Sequence, residues 1–306
     1  MSAAALSALK HPGVKYIFYG WTFFITENLV MSHNREYIIN NYTEKNYHYA
    51  YNTLSTTACA SIGYGFLKYK NKGPTWPSMI NANSGSPRMR AMRAGAFTLH
   101  ALGLVGLSQM APKLQMPIGL ASDAGSDLRT PTQQSSEIVN SDYQSNPQLA
   151  FTNTAQLTAV SPTHSVVAAA QATKPLRFKA KCPMDFKPAD VPAGQVGGME
   201  RISRHPSLWA LAMLTSGSAL LTPFIAEACF YLGFGLFAII GTEHQDYRYR
   251  RGSGGELSPE KEAITSNMPF MALITGRQDW GALFNEMKWS NATIATGLVV
   301  LRHLRL

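Results

Sequence analysis

The chain has 306 residues, 45% of them hydrophobic and 10% aromatic but only 15% charged, well short of the roughly 25% charge of an average soluble domain. Mean hydropathy is still near zero, at −0.09, so very apolar segments must alternate with very polar ones. The aliphatic and aromatic content excludes a wholly disordered chain, and the scattered Cys59, Cys182 and Cys229 exclude a disulfide framework or a cysteine-rich zinc module.

In chain order, residues 1–15 (MSAAALSALKHPGVK) lack the basic, apolar and small-residue parts of a secretory signal and are shorter than a transit peptide. The expectation is an organellar protein inserted by uncleaved internal signals, with the mitochondrion favoured over the plastid. Five apolar runs follow: 16–31, with one acid at Glu27, then 49–67, 94–111, 207–225, and 228–241 just after Glu227. A last run, 292–301, is short. A bilayer core about 30 Å thick needs roughly 20 residues of helix. The first four runs nearly meet this alone, and the fifth meets it if its helix begins near Pro223. Their Gly, Ala, Ser and Thr residues let membrane helices approach closely. A soluble bundle of buried helices is the alternative, but soluble helices normally carry a charged face, which these runs lack.

The expected fold is therefore all-α, a multi-pass transmembrane bundle of about 5–6 spans. Residues 1–121 form a first membrane half with three spans. Residues 122–197 form a polar extramembrane loop, and 198–306 a second half with two spans and a C-terminal helix.

The net charge of +9 suits nucleic acid or anionic lipid equally, so placement decides. Lys68, Lys70, Lys72, Arg88, Arg90 and Arg93 crowd one loop, and Arg248, Arg250 and Arg251 follow the fifth run. These clusters flank apolar runs as membrane anchors do, without the interleaved aromatics of a single-strand binder. Lipid is the expected partner and nucleic acid is not. With five spans the clusters fall on opposite sides, which leaves the orientation open.

The stretch from 122 onward is rich in Ser, Thr, Gln, Asn and Ala, has no sustained helix or strand period, and ends in a basic, proline-containing segment. It holds too little apolar surface to offset its own ordering entropy and is too long for a mere connector. Residues 122–187 are thus expected to bind other subunits of a membrane complex. Leu149, Phe151, Leu176 and Phe178 would be sparse anchors, and the basic residues 177–181 would meet acidic protein or anionic headgroups.

Histidine within a span is a functional hypothesis by default. His33 and His100 could hold a haem between them, or each could hydrogen-bond within the bundle or sit at the interface. His205 precedes Pro206, which sets a helix start, so RHPSLW is an interface anchor first, with Trp209 at headgroup level, and a ligand second. Glu27 and Glu227 need cationic partners if they stay charged; Arg35 and Arg204 are the candidates, with an ion pair favoured over a proton relay. Cys182 follows Lys179 and Lys181, which favour its thiolate, but without a second Cys or a nearby His it is no metal site. Residues 252–255 (GSGG) read as a flexible turn. No P-loop, dinucleotide, zinc-protease or nucleophile-elbow pattern occurs in a plausible context.

Three stretches carry a family resemblance: LVMSHNREYI with NYHYAYNTLSTTACASIGYGF (29–66), GMERISRHPSLWALAML (198–214), and GTEHQDYRYRR with TSNMPFMALITGR (241–277). The chain resembles the NnrU family, which includes bacterial membrane proteins tied to nitrogen-oxide metabolism and the plastid 15-cis-zeta-carotene isomerase. The resemblance implies a membrane bundle over about 200 of the 306 residues. It also implies a haem held by a histidine matching His33 and by a Cys-x-x-His pair. The positions matching that pair are Thr215 and Ser218, whose neutral hydroxyls are poor ligands for haem iron.

The expected function is a non-catalytic NnrU-like accessory subunit of an organellar membrane complex, with a respiratory-chain assembly of the mitochondrial inner membrane as host. No cofactor is expected, haem b being the one that His33, His100 and His205 could hold. The alternative is a haem-dependent membrane isomerase or oxidoreductase with rewired ligands. A transporter would need a polar path for which the spans carry too few charges.

Overall fold

The computed structural model describes residues 8, 10–76, 86–114, 118–121, 177–180, 184–185 and 196–305. Two compact units divide the chain, residues 1–114 with 184–306, and residues 115–183.

The first unit is helical. It contains α1 (Pro12–His33), α2 (Arg35–Tyr42), α3 (Glu44–Tyr69) and α4 (Pro87–Met110). After a 3-10 turn at Gly198–Arg201 come α5 (Pro206–Leu221), α6 (Ile225–Arg250), α7 (Pro259–Ile264), α8 (Met271–Ile274), α9 (Trp280–Glu286) and α10 (Trp289–Leu304). The starts follow local chemistry. Proline opens α1, α4, α5 and α7, where its missing N–H costs nothing. Ser86 and Ser258 accept from the backbone N–H of Met89 and Lys261 and so cap α4 and α7. The expected runs fall within or nearly within α1, α3, α4, α5 and α6, and the short final run lies in α10.

Contacts fix the helix directions. On α1 and α3, Gly13 meets Tyr69, Gly20 meets Ile62 and Glu27 meets Ser55, so the two are antiparallel. On α4 and α5, Ala96 and His100 meet Gly217 while Gly106 meets Ala210, again antiparallel. Helix α6 bridges the pairs, packing on α5, α1 and α3, and α10 lies along α4. The α4–α5 seam is close because a Cβ on Gly103 would stand 2.5 Å from the Leu214 nitrogen and 2.6 Å from the Ala210 oxygen. Gly233 likewise lies against the Trp21 indole, with no room for a Cβ.

The interior combines an apolar cluster of Val14, Ile17, Trp21 and Ile62 with small and polar residues, and large apolar side chains also stand on the exterior. Ala58, Ala96, Ala210, His100, Asp246 and Asn291 are buried. Leu232, Leu236 and Ile239 on α6, and Ile294, Leu298 and Leu301 on α10, stand about half-exposed at i, i+4, i+7 spacing, one face of each helix. Among the described residues, α6 is the one helix long and apolar enough by itself to cross a membrane. α5 is apolar but shorter, α3 opens with Glu44 and Lys45, and α4 opens with Arg88, Arg90 and Arg93.

Beside the helices, the described residues hold two short strand pairs. Lys113 and Leu114 (β1) pair antiparallel with Asp185 and Met184 (β4). In the second unit Ile118–Ala121 (β2) pairs antiparallel with Arg177–Ala180 (β3). The β-forming sequence Arg-Phe-Lys-Ala finds a partner remote in the chain, which periodicity within one segment does not reveal. Of the expected anchors, Phe178 lies in β3; Leu149, Phe151 and Leu176, like Cys182, lie outside the described residues.

Candidate functional site

The last two turns of α6 carry polar residues on different faces. Asp246, almost wholly buried, is held by Arg204 and His205. Arg204 directs Nε and Nη2 at its carboxylate, with Nε 3.1 Å from Oδ2, and His205 Nε2 lies 2.7 Å from Oδ1. The segment between α7 and α8 completes this latch. Arg204 Nη1 donates to Thr265 Oγ1, Ser203 Oγ to the Asn267 carbonyl, and Trp209 Nε1 to Asn267 Oδ1. The backbone joins in through Arg204 N to Ser266 O and Phe270 N to Ile202 O. Ser203, His205 and Asp246 do not form a nucleophile relay, because the Ser203 hydroxyl is spent on Asn267 and the His205 backbone N–H donates to Ser203 Oγ. Pro206 does start α5, as expected, and Trp209 is half-buried with its Nε1 on Asn267 Oδ1.

On the other face of α6, His244, Gln245 and Arg248 line a cavity of about 230 Å³ with Asn28, Ser32 and Tyr51 at its polar end. Ile25, Leu29, Leu208, Phe237 and Ile240 wall the apolar end. The Ser32 hydroxyl donates to the Asn28 carbonyl, so its oxygen is left to accept from His244 Nε2 at 2.9 Å. Tyr51 OH donates to Asn28 Oδ1 at 2.6 Å. Arg248 gives Nη2 to the Ser253 carbonyl at 3.2 Å, while its Nε is buried without a partner. The GSGG turn makes this placement workable: Gly254 has φ +75° and packs its Cα against the Arg248 guanidinium, where a side chain would collide.

A third cluster joins α4, α5 and α10. His100, 1% exposed, sits with Nδ1 2.9 Å from His303 Nε2 and Nε2 3.0 Å from Ser218 Oγ. Arg302 Nη2 donates to Ser218 Oγ. One directional chain satisfies all of them: Arg302 to Ser218, Ser218 to His100, and His100 Nδ1–H to His303.

The three histidines singled out in the sequence do not meet. His33 is exposed at the end of α1, near His244 and stacked on Tyr247; His100 contacts His303 and Ser218; His205 contacts Asp246. A haem ligand needs a ring nitrogen free to face iron. His100 has both nitrogens engaged, and His205 gives Nε2 to Asp246. Thr215 bonds back to the Leu211 and Ala212 carbonyls. These residues do not fit a haem held as the resemblance implies, nor a bis-histidine haem between His33 and His100.

The expected cationic partners of the buried acids are also corrected. Arg35 pairs with Glu44 at 3.4 Å, and Arg204 with Asp246. Glu27 is met by neutral donors, Ser55 Oγ and Asn28 Nδ2, and its Oε2 has no partner. Glu227, in the first turn of α6, accepts from the Asn71 backbone N–H and from Thr222 Oγ1, where the helix dipole favours an anion. In the 3-10 turn, Arg201 grips Glu286 with Nε and Nη2 at 2.9 and 2.6 Å, and that hydrogen bonding holds the Glu286 carboxyl below the usual carboxylate range. Sequence reading missed Asp246 and Thr265 as partners of Arg204, Asn267 as the partner of Ser203 and Trp209, and His303 as the partner of His100. The available signal was the pair of acids, Glu243 and Asp246, set in the basic tail of an apolar run. Comparison of the chain with protein-family profiles, characterised proteins and solved structures finds no match.

Proposed function

We propose that the chain is a multi-pass helical membrane subunit with no catalytic chemistry of its own. It serves as an NnrU-like accessory subunit of a larger organellar membrane complex, and the respiratory assemblies of the mitochondrial inner membrane are the first hosts to test. The observation that carries this reading is the apolar exterior: half-exposed leucine and isoleucine faces on α6 and α10, around an interior that buries polar pairs at Asp246 and His100 beside its apolar cluster. In lipid this arrangement costs nothing, whereas water would penalise each exposed apolar face.

On this reading α1, α3, α4, α5 and α6 are spans and α10 is a sixth. Helices of 22, 26, 24 and 26 residues (α1, α3, α4, α6) reach about 33 Å or more at 1.5 Å per residue. α5 and α10, with 16 residues each, span roughly 24 Å, within what local thinning and snorkelling flanks absorb. The exposed, roughly parallel rings of Trp280, Phe284 and Trp289 suit the headgroup layer. The NnrU-like stretches 198–214 and 241–277 supply every member of the Asp246 latch, which supports reading them as one structural unit.

Alkaline carbonate extraction should leave the chain in the membrane pellet, and native electrophoresis of mild-detergent extracts should place it in a particle far heavier than its own 33.5 kDa. Release into the supernatant, or migration as a lone chain, would overturn the proposal. Deleting residues 122–172 should strip the partners from the purified chain without releasing it from the membrane.

A further inference from the structure

The polar cavity beside Arg248 shares part of its apolar wall with a second cavity. Leu208 and Phe237 also line this second cavity of about 350 Å³ with Trp21, Phe24, Ile62 and Phe234. Taken together the volumes fall in the roughly 300–1,000 Å³ range of small-molecule sites. The packing explains the opening. Among the described residues α5 packs on α4 and α6, and α3 packs on α1 and α6, so a gap remains where α3 and α5 face each other across α1 and α6. Gly63 and Cys59 of α3 and Leu211 of α5 border it.

One end of this passage is cationic and hydrogen-bonding, and the other is aromatic and apolar. Arg248 brings a full positive charge and a buried Nε–H without a partner. Such an orphan donor is rare in a finished structure, and the Arg248 side chain itself lines the cavity. Gln245 and Gly241 line it as well. No acid is in the wall, and Glu27 turns Oε1 to Ser55 and Asn28.

We propose that this passage binds an anionic amphiphile, its carboxylate or phosphate head on Arg248 and its hydrocarbon tail between Phe24, Phe234 and Phe237. The chemistry is an oxyanion on an acyl chain, whether from a free fatty acid or from an acidic phospholipid. The proposal stands apart from the identity of any host complex, since it needs only the folded chain.

The test uses the full chain, delipidated in a non-ionic detergent, with radiolabelled oleate as probe. Oleate should bind saturably, and methyl oleate, which keeps the tail but not the charge, should compete at least about tenfold less well, the expected weight of one charge-assisted hydrogen bond. Arg248→Gln should erase that preference. Gly63→Leu should abolish binding of both; nothing lies within 4 Å of a Cβ built on Gly63, so the new side chain enters the cavity without forcing the helices apart. Stronger competition by dioleoyl phosphatidate than by unlabelled oleate would assign the site to phospholipid, and the reverse to fatty acid. Non-saturable binding, or saturable binding indifferent to both substitutions in variants that melt like the parent, would overturn the proposal.

Discussion

The two faces of the last turns of α6 differ in how completely their polar groups are met. On one, Asp246 receives Arg204 and His205, and Thr265 and Asn267 take up the remaining donors around them. On the other, Arg248 reaches a carbonyl with Nη2 but leaves Nε unpaired beside a cavity of about 230 Å³. Arg204 and Arg248 thus serve opposite ends: one closes a joint between segments remote in sequence, the other borders open space. A buried ion pair adds little net stability, because desolvation offsets most of the attraction, but removing one partner is costly. An unfinished donor carries no such dependence, so the fold should tolerate its loss.

The largest expected effect breaks the finished face. Asp246→Ala leaves the Arg204 guanidinium without its counter-charge and His205 without its partner, and should cost about 3–5 kcal/mol, read as a drop in the midpoint of unfolding in detergent micelles. An unchanged midpoint would mean that the latch is dispensable. Gly103→Leu should come next, at about 1–3 kcal/mol, because the α4–α5 seam has to open to admit the side chain. Its distance from the latch makes it a control for packing as opposed to charge, and double substitution with Asp246→Ala should be close to additive.

Arg248→Ala should cost less than about 1 kcal/mol, the worth of its one hydrogen bond to Ser253. If it destabilises as much as Arg204→Ala, the contrast between the two faces is wrong. The smallest effect concerns Glu286. Its carboxyl is held low in the folded state by Arg201, so the pairing adds stability above the free carboxylate pKa of about 4.3 and loses it as pH falls through the lower folded-state value. Because the pair is partly exposed, solvent screening keeps the gain small. Glu286→Gln should lower the melting temperature slightly at neutral pH, and the gap to the parent should close on acidification. A gap that widens in acid would reverse the assigned sign.

Much of the helical layout was legible in the chain itself. Uncharged runs of about 20 residues have no way to satisfy their backbone in lipid or in a core except as helices, and Pro206 and the GSGG turn marked boundaries through their φ restrictions. What the chain did not disclose is which helix faces meet. Runs that are apolar on every side carry no periodic stripe to orient them, so the pairing of His100 with His303 and the bridging position of α6 came only from packing. Sequence proximity suggested Arg35 and Arg204 as partners for Glu27 and Glu227. In the folded chain α3 places Ser55 against Glu27, and the 265–267 segment turns Arg204 toward Asp246. A charged side chain pairs with whatever the tertiary structure brings within hydrogen-bond reach, and that reach, about 3 Å, is set by helix contacts made between residues far apart in sequence.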